Sequence, residues 1–353
     1  MSTPHEVALL RLVAQRIAGP PAPTPADAVR LLTAAQGQDL PGALRSIALR
    51  TASGDRTDVE AALNTGDVVR SWPMRGTLHL VAAEDLAWLI NLLGPRALAG
   101  TPARRLQLGI TDADIDKARV IAVDALSGGR RLARTELLAA LEDGGVEITG
   151  QRRYHLLWYL SQSNTLCLGP MEDGEQRFVL MDEWIRSPRA LDPDEALAEL
   201  AGRFFRGHGP ATVKDLARWA GLRVTEARAG LAAVRDGLAR LDVDGVEHFL
   251  DPATPDLLAA CRSQAQGTFL LPGFDEFVLG YADRSAVLDP EFADRIVPGG
   301  NGVFRPTVVH DGRIVGTWQW TGRGAKRAVT ATPFTAFPAR AEAAIPDLAA
   351  GLS

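Results

Sequence analysis

One supersecondary pattern recurs three times along this chain: amphipathic helices, then two short β-rich runs separated by turn residues. In the first copy, residues 7–17 carry an apolar helical stripe that Pro20-Pro21-Ala22-Pro23 breaks. Helical spacing resumes over 26–35 and 41–50, and β-rich runs follow at 68–69 and 77–81 around Pro73 and Gly76. The second copy reads as helices over 115–126, 135–142 and 152–163, then strands at 166–168 and 177–180 on either side of Asp173-Gly174. The third reads as helices over 195–205, 212–220 and 225–234, then strands over 238–243 and 246–250 joined by Asp244-Gly245, a strong hairpin signal. Its opening is the plainest of the three, with Thr212 as N-cap, apolar residues on one face and Gly221 at the helix end. A helix pair of this kind followed by a β-hairpin is the winged-helix arrangement, which serves DNA binding and protein interaction alike.

From Gly267 onward the texture changes to β-rich runs at 268–271, 304–310 and 313–321, the last two joined by Asp311-Gly312; helical spacing returns at 339–344. The expected fold is therefore α+β, with three tandem winged-helix modules over 1–100, 101–190 and 191–265 and a β-rich C-terminal module over 266–353. A length of 353 residues suits several compact modules rather than one small core. The most apolar stretch, 86–93, is too short for a membrane span and contains Asn91, so no membrane partner is expected. No basic-then-apolar leader pattern stands at the start, and Cys167 and Cys261 are isolated, so a reducing cytoplasm is the expected setting. The histidines and cysteines show no metal-ligand spacing, and no metal or cofactor is expected.

A net charge of −5 disfavours indiscriminate phosphate binding, yet a local basic stripe is what nucleic-acid recognition needs. Arginines gather at Arg104-Arg105, Arg130-Arg131-Arg134, Arg152-Arg153 and Arg323-Lys326-Arg327, apart from the acidic Asp112-Asp114-Asp116 and Asp192-Asp194-Glu195. Between the second and third helical runs of the first copy stands Gln36-Gly37-Gln38-Asp39-Leu40-Pro41-Gly42-Ala43-Leu44. Two amides two residues apart on one helix point about 200° away from each other, whereas in a turn or an extended segment they can share a face. Asp39 and Pro41 mark the start of the next helix.

This segment resembles the signature of the AlkZ/YcaQ family of winged-helix bacterial DNA glycosylases, in which the residue held here by Gly37 is usually aliphatic. Three more segments resemble that family in the same order: Trp72-Pro73-Met74-Arg75-Gly76-Thr77-Leu78-His79, Leu271-Pro272-Gly273-Phe274-Asp275-Glu276-Phe277 and Gly300-Asn301-Gly302-Val303-Phe304-Arg305-Pro306. The resemblance implies a monofunctional glycosylase acting on double-stranded DNA that contains N7- or N3-alkylated purines, bulky adducts and crosslinks included, and a monomer is expected. It makes Gln36 and Gln38 the catalytic pair.

The chemistry agrees with amides in that role. N-glycosidic hydrolysis passes through an oxocarbenium-like sugar attacked by water. An amide orients water but is no general base near neutral pH, so it suffices only where the leaving base already carries positive charge. Asp39, Arg75, Thr77 and His79 are the expected supporting residues. The last three alternate with Gly76 and Leu78, so a strand there shows one polar face. Arg45 and Arg50 on the helix after the glutamines, with Arg152 and Arg153 on the corresponding second-copy helix, are the expected phosphate contacts. Asp275-Glu276 is a rival acid pair, for which capping and ion pairing is the favoured role. The alternative function is a non-catalytic DNA-binding protein in which the glutamines only shape a loop, and a winged-helix interaction scaffold is a third.

Overall fold

The computed structural model describes residues 3–322, 324 and 327–352; Arg323 and Lys326 of the last basic cluster lie outside them. The chain is a mixture of helices and antiparallel sheets. The first part runs α1 (Pro4–Ala14), α2 (Pro25–Leu32), β1 (Ala35–Gln36), α3 (Leu40–Ala48), α4 (Arg56–Thr65), the hairpin β2 (Val68–Met74) and β3 (Thr77–Ala82), then α5 (Leu86–Ala99) and α6 (Pro102–Leu108). The second comprises α7 (Asp112–Leu126), α8 (Arg134–Asp143), α9 (Arg152–Gln162), the hairpin β4 (Leu166–Glu172) and β5 (Glu175–Leu180), and α10 (Met181–Trp184). The third comprises α11 (Pro193–His208), α12 (Val213–Ala220), α13 (Val224–Val234) and the hairpin β6 (Ala239–Val243) and β7 (Val246–Leu250). The last comprises α14 (Thr254–Ala265), β8 (Thr268–Leu271), α15 (Glu276–Leu279), α16 (Ala293–Ile296), β9 (Thr307–His310), β10 (Arg313–Thr321), β11 (Ala328–Pro333) and α17 (Ala339–Ala350).

Four hairpins turn on the same chemistry. Asp173-Gly174, Asp244-Gly245, Asp311-Gly312 and Arg75-Gly76 all have positive φ at both residues, as a turn matching the right-handed strand twist requires. Asp and Gly tolerate that conformation readily; Arg75, at φ 54°, is the exception. Arg75 therefore lies in the turn, not on a strand face with Thr77 and His79. The first two hairpins join into one five-stranded sheet, ordered β1-β3-β2-β4-β5, through the pairing of Arg70 with Leu168. The C-terminal sheet is ordered β11-β10-β9-β8.

Helix α1 departs from its expected place in the first module. Leu9, Leu12 and Val13 share a core with Leu258 of α14, Leu271, Phe277 and Val309, so the start of the chain packs with its C-terminal part. The core built on α11–α13 likewise takes in Val69, Leu86 and Leu89 from the first part. Helix α4 also escapes the sequence pattern, because only Val59, Ala62 and Leu63 are buried along it. It is set by its ends, where the Asp55 side chain caps the Thr57 amide and Gly66 closes the helix at φ 78°.

Candidate active site

The glutamine segment leaves α2 through Thr33, forms the two-residue strand β1, and enters α3 at Leu40. Gln36 stands opposite His79 in the β1–β3 ladder, and the Gly37 amide donates to Leu78 O at 2.7 Å. The segment is thus extended, and the amides meet as that geometry allows. The Gln38 backbone N–H donates to Gln36 Oε1 (3.0 Å), and Gln36 Nε2 donates to Gln38 Oε1 (2.8 Å). The first bond fixes which atom of Gln36 is the oxygen, and the second then fixes Gln38. Gln36 is buried, whereas Gln38 is exposed. The outward-facing groups of the pair are therefore the Gln38 NH₂ and the second lone pair on its Oε1, one donor and one acceptor site beside each other.

Behind the pair lies a buried carboxylate. Glu276 Oε1 accepts from the Gln36 backbone N–H at 3.1 Å, and its Oε2 accepts from Trp219 Nε1 at 2.8 Å and faces His208 Nε2 at 3.4 Å. Burial works to raise its pKa, but the bonds from His208 and Trp219 outweigh it and hold the carboxyl below its usual range. His79 is fully buried, and burial, reinforced by the Arg75 charge, pushes its pKa down to about 4. A neutral ring accepts from Arg75 Nη2 at Nε2 (3.4 Å), which leaves Nδ1–H to donate to Thr77 O (2.9 Å). His79, Thr77 and Arg75 thus form a chain behind the strand that carries Gln36, and none of the three stands beside the outward face of Gln38 by these contacts.

Two further residues hold the loop, and the sequence did not single either out for this. Arg70, on β2, donates to Gly37 O (2.7 Å), Gln38 O (3.3 Å) and Gln176 Oε1 (2.9 Å), and burial lowers its pKa to about 10. A lone arginine within the apolar run of β2 is the signal that marks it. Glu276 is the other such residue; although it adjoins Asp275 in sequence, the structure gives each acid a separate buried partner set. Asp275 accepts from both terminal nitrogens of Arg50 at 2.9 Å and from Ser46 Oγ at 2.6 Å. Gly37 itself fits closely, since a Cβ there would stand 3.3 Å from the His79 and Leu80 backbone.

Asp39 is exposed at the N-cap position of α3, but its side chain makes no capping bond. Its carboxylate leans over Gly42, where a Cβ would come within 2.5 Å of Oδ2. Two of the four expected phosphate contacts are corrected. Arg50 is fully buried and its guanidinium is taken up by Asp275, Ser46 and Gln15, so it has no face for a phosphate. Arg152 is buried as well, donating to the carbonyls of Leu108 and Gly109 at 2.7 Å and Glu147 at 2.9 Å. Arg45 is half-buried, donates to the Leu352 carbonyl and lies over Trp320. Arg153 is exposed.

Comparison with known proteins finds likeness over most of the chain. The sequence model described as DNA glycosylase AlkZ-like matches residues 29–353. An interstrand DNA cross-link repair glycosylase of Streptomyces sahachiroi is 29% identical over 311 residues, which cover 84% of this chain and 82% of that protein. The solved structure of the Streptomyces sahachiroi DNA glycosylase AlkZ superposes with a TM-score of 0.82 at 26% identity, covering 99% of this chain and 96% of the other. Among the described residues, no helix is long and apolar enough to cross a membrane. With the family match spanning nearly its full length, this chain belongs to the AlkZ-like DNA glycosylases.

Proposed function

We propose that this enzyme hydrolyses the N-glycosidic bond of purines alkylated at N7 or N3 in double-stranded DNA, bulky adducts and interstrand crosslinks among them. The observation that carries this reading is the locked amide pair, with Gln36 orienting Gln38 and Gln38 offering one acceptor and one donor site to solvent. Gln38 Oε1 accepts a hydrogen bond from the attacking water, and its dipole stabilises positive charge developing on the sugar. The amide removes no proton in the rate-limiting event, so the bond must break because the departing base is already cationic. Asp39, exposed beside Gln38 and making no capping bond, adds negative charge near the sugar. Arg153 and, at the edge of α3, Arg45 contact phosphates.

The three helix–hairpin parts act as winged-helix modules around the duplex, bounded near residues 100, 190 and 265, in a monomeric protein of the cytoplasm. The cross-link repair activity named for the Streptomyces sahachiroi relative fits an amide pair presented on the surface, which imposes no tight limit on adduct size. Paired duplexes carrying one N7-methylguanine or one neutral O6-methylguanine test the requirement for a charged leaving group. Abasic product is expected from the first alone; equal release from both contradicts amide-only catalysis and calls for a general acid.

A further inference from the structure

The segment 300–306, conspicuous in the sequence, takes no part in the amide site. Gly299, Gly300 and Gly302 all have positive φ, so the chain reverses tightly after α16 and brings Arg305 back beside it. Two backbone bonds fix Arg305 there. Its N–H donates to Ile296 O of α16 at 3.0 Å, and the carbonyl of the next residue, Pro306, accepts from the Trp318 N–H of β10 at 3.1 Å. Pro306 also restricts Arg305 to extended backbone. Arg295 and Arg305 consequently share one cavity of about 270 Å³ with the β10–β11 ladder, where Thr317 pairs with Thr332 and Gln319 follows on the same face of β10. Arg295, Arg305, Gln319 and Thr332 are exposed, so their polar groups are open to solvent. None of the lining residues is acidic, and Asp294, next to Arg295 in sequence, is engaged by the Gly299 N–H at 2.7 Å. Arg295 is anchored by the Phe334 carbonyl (3.1 Å) and stands over its ring. The side chains of Arg305, Thr317, Gln319 and Thr332 make no hydrogen bond among the described residues.

Two guanidinium groups, two hydroxyls and an amide, with no carboxylate among them, form a set of donors that suits a tetrahedral oxyanion. We propose that this cavity holds one phosphodiester group of the DNA strand, gripped by Arg295 and Arg305 and bonded by Thr317, Thr332 and Gln319. Its volume is below the roughly 300–1,000 Å³ of pockets that enclose a drug-sized molecule, so it seats a phosphate with its sugar. The place of the cavity in the fold favours DNA over a free anion. A Cβ on Gly273 would lie 2.6 Å from Phe304 O, and one on Gly42, in the first turn of α3, would lie 3.6 Å from Gly273 O. Asp39 and the amide pair directly precede that helix. Two close packing contacts therefore join the segment that carries Arg305 to the segment that carries the amides, and a duplex lying on one passes near the other.

The test is binding of an undamaged duplex, followed by fluorescence anisotropy across about 50 to 200 mM salt. Because undamaged DNA is the probe, the outcome does not depend on whether the amide pair is catalytic. Arg305→Ala is expected to weaken binding about five-fold and to lower the slope of log affinity against log salt by about one unit. Thr317→Val, which removes a hydroxyl but no charge, is expected to weaken binding about three-fold with the slope unchanged. Arg262→Ala controls for the loss of one positive charge. That side chain pairs with Glu6 of α1, outside the cavity, and the variant is expected to match the native protein. Calorimetric titration with inorganic phosphate forms the second arm. Phosphate binding that depends on Arg305, together with unchanged duplex binding, assigns the cavity to a free anion and overturns the DNA assignment. An Arg305→Ala variant, folded by circular dichroism, that keeps native duplex affinity and salt slope and binds phosphate no differently from the native protein overturns the site altogether.

Discussion

Two helix–turn–helix openings in this molecule are closed in opposite ways. At α12 the signals are local: Thr212 Oγ1 accepts from the Asp215 amide, Asp215 Oδ2 accepts from the Thr212 amide, and Gly221 ends the helix at φ 70°. Between α2 and α3 the local rules fail. Thr33, a β-branched residue, sits at φ 67° and ψ −49°, near a rare and strained γ-turn geometry, and its buried hydroxyl has no partner among the described residues. Asp39 occupies the cap position without capping. What holds this second turn comes from elsewhere in the chain: Glu276 from 240 residues away, Arg70 from β2 and Leu78 from β3. The segment that breaks local rules is the one that presents the two amides, and its conformation is sustained by tertiary contacts.

That contrast predicts different responses to substitution. The largest is expected for Glu276→Gln, which turns one oxygen facing Trp219 and His208 into a donor and removes a buried charge. Loss of about 3 kcal/mol of stability, measured by denaturant titration, should be accompanied by reduced excision in the folded fraction. His79 gives the next effect. Its pKa is about 4 in the folded protein against 6.5 for a free histidine, so between these values the unfolded chain binds a proton that the folded one refuses. Stability should therefore fall as pH drops from 6.5 to 4, by about 3 kcal/mol from this residue. A His79→Asn variant should show a flatter pH profile than the native protein in that window, while an unchanged slope contradicts the buried, neutral assignment. Thr212→Ala is expected to be the mildest. It should cost about 1 kcal/mol of stability and leave excision by the folded protein unaltered, because the α12 turn carries no reacting group. Loss of excision in that variant would erase the contrast between the two turns.

The same contrast explains what the sequence made legible. The α12 cap, the Gly221 stop and the Asp-Gly hairpin turns are written in adjacent residues, and the expected elements stand there. That Gln36 and Gln38 meet only off a helix was readable too, because helical spacing separates such amides; the β1 strand that brings them together was not. Partners distant in sequence were not. Nothing near Arg50 signals Asp275, 225 residues away, and nothing near Arg152 signals the carbonyls of Leu108 and Gly109 that bury it. Both arginines look like phosphate contacts until the tertiary fold consumes their donors. Helix α1 was misplaced for the same reason, since its apolar stripe identifies a buried face but not the C-terminal core that covers it.

The account stands most directly on the amides themselves. Single-turnover release of N7-methylguanine from a defined duplex should be measured for the native protein and for a Gln36→Ala, Gln38→Ala double variant, with circular dichroism confirming that the variant is folded. Abasic product from the native protein, reduced at least a hundred-fold in the variant, is the predicted result. Undiminished release by the folded variant would contradict the assignment and move the chemistry away from this loop.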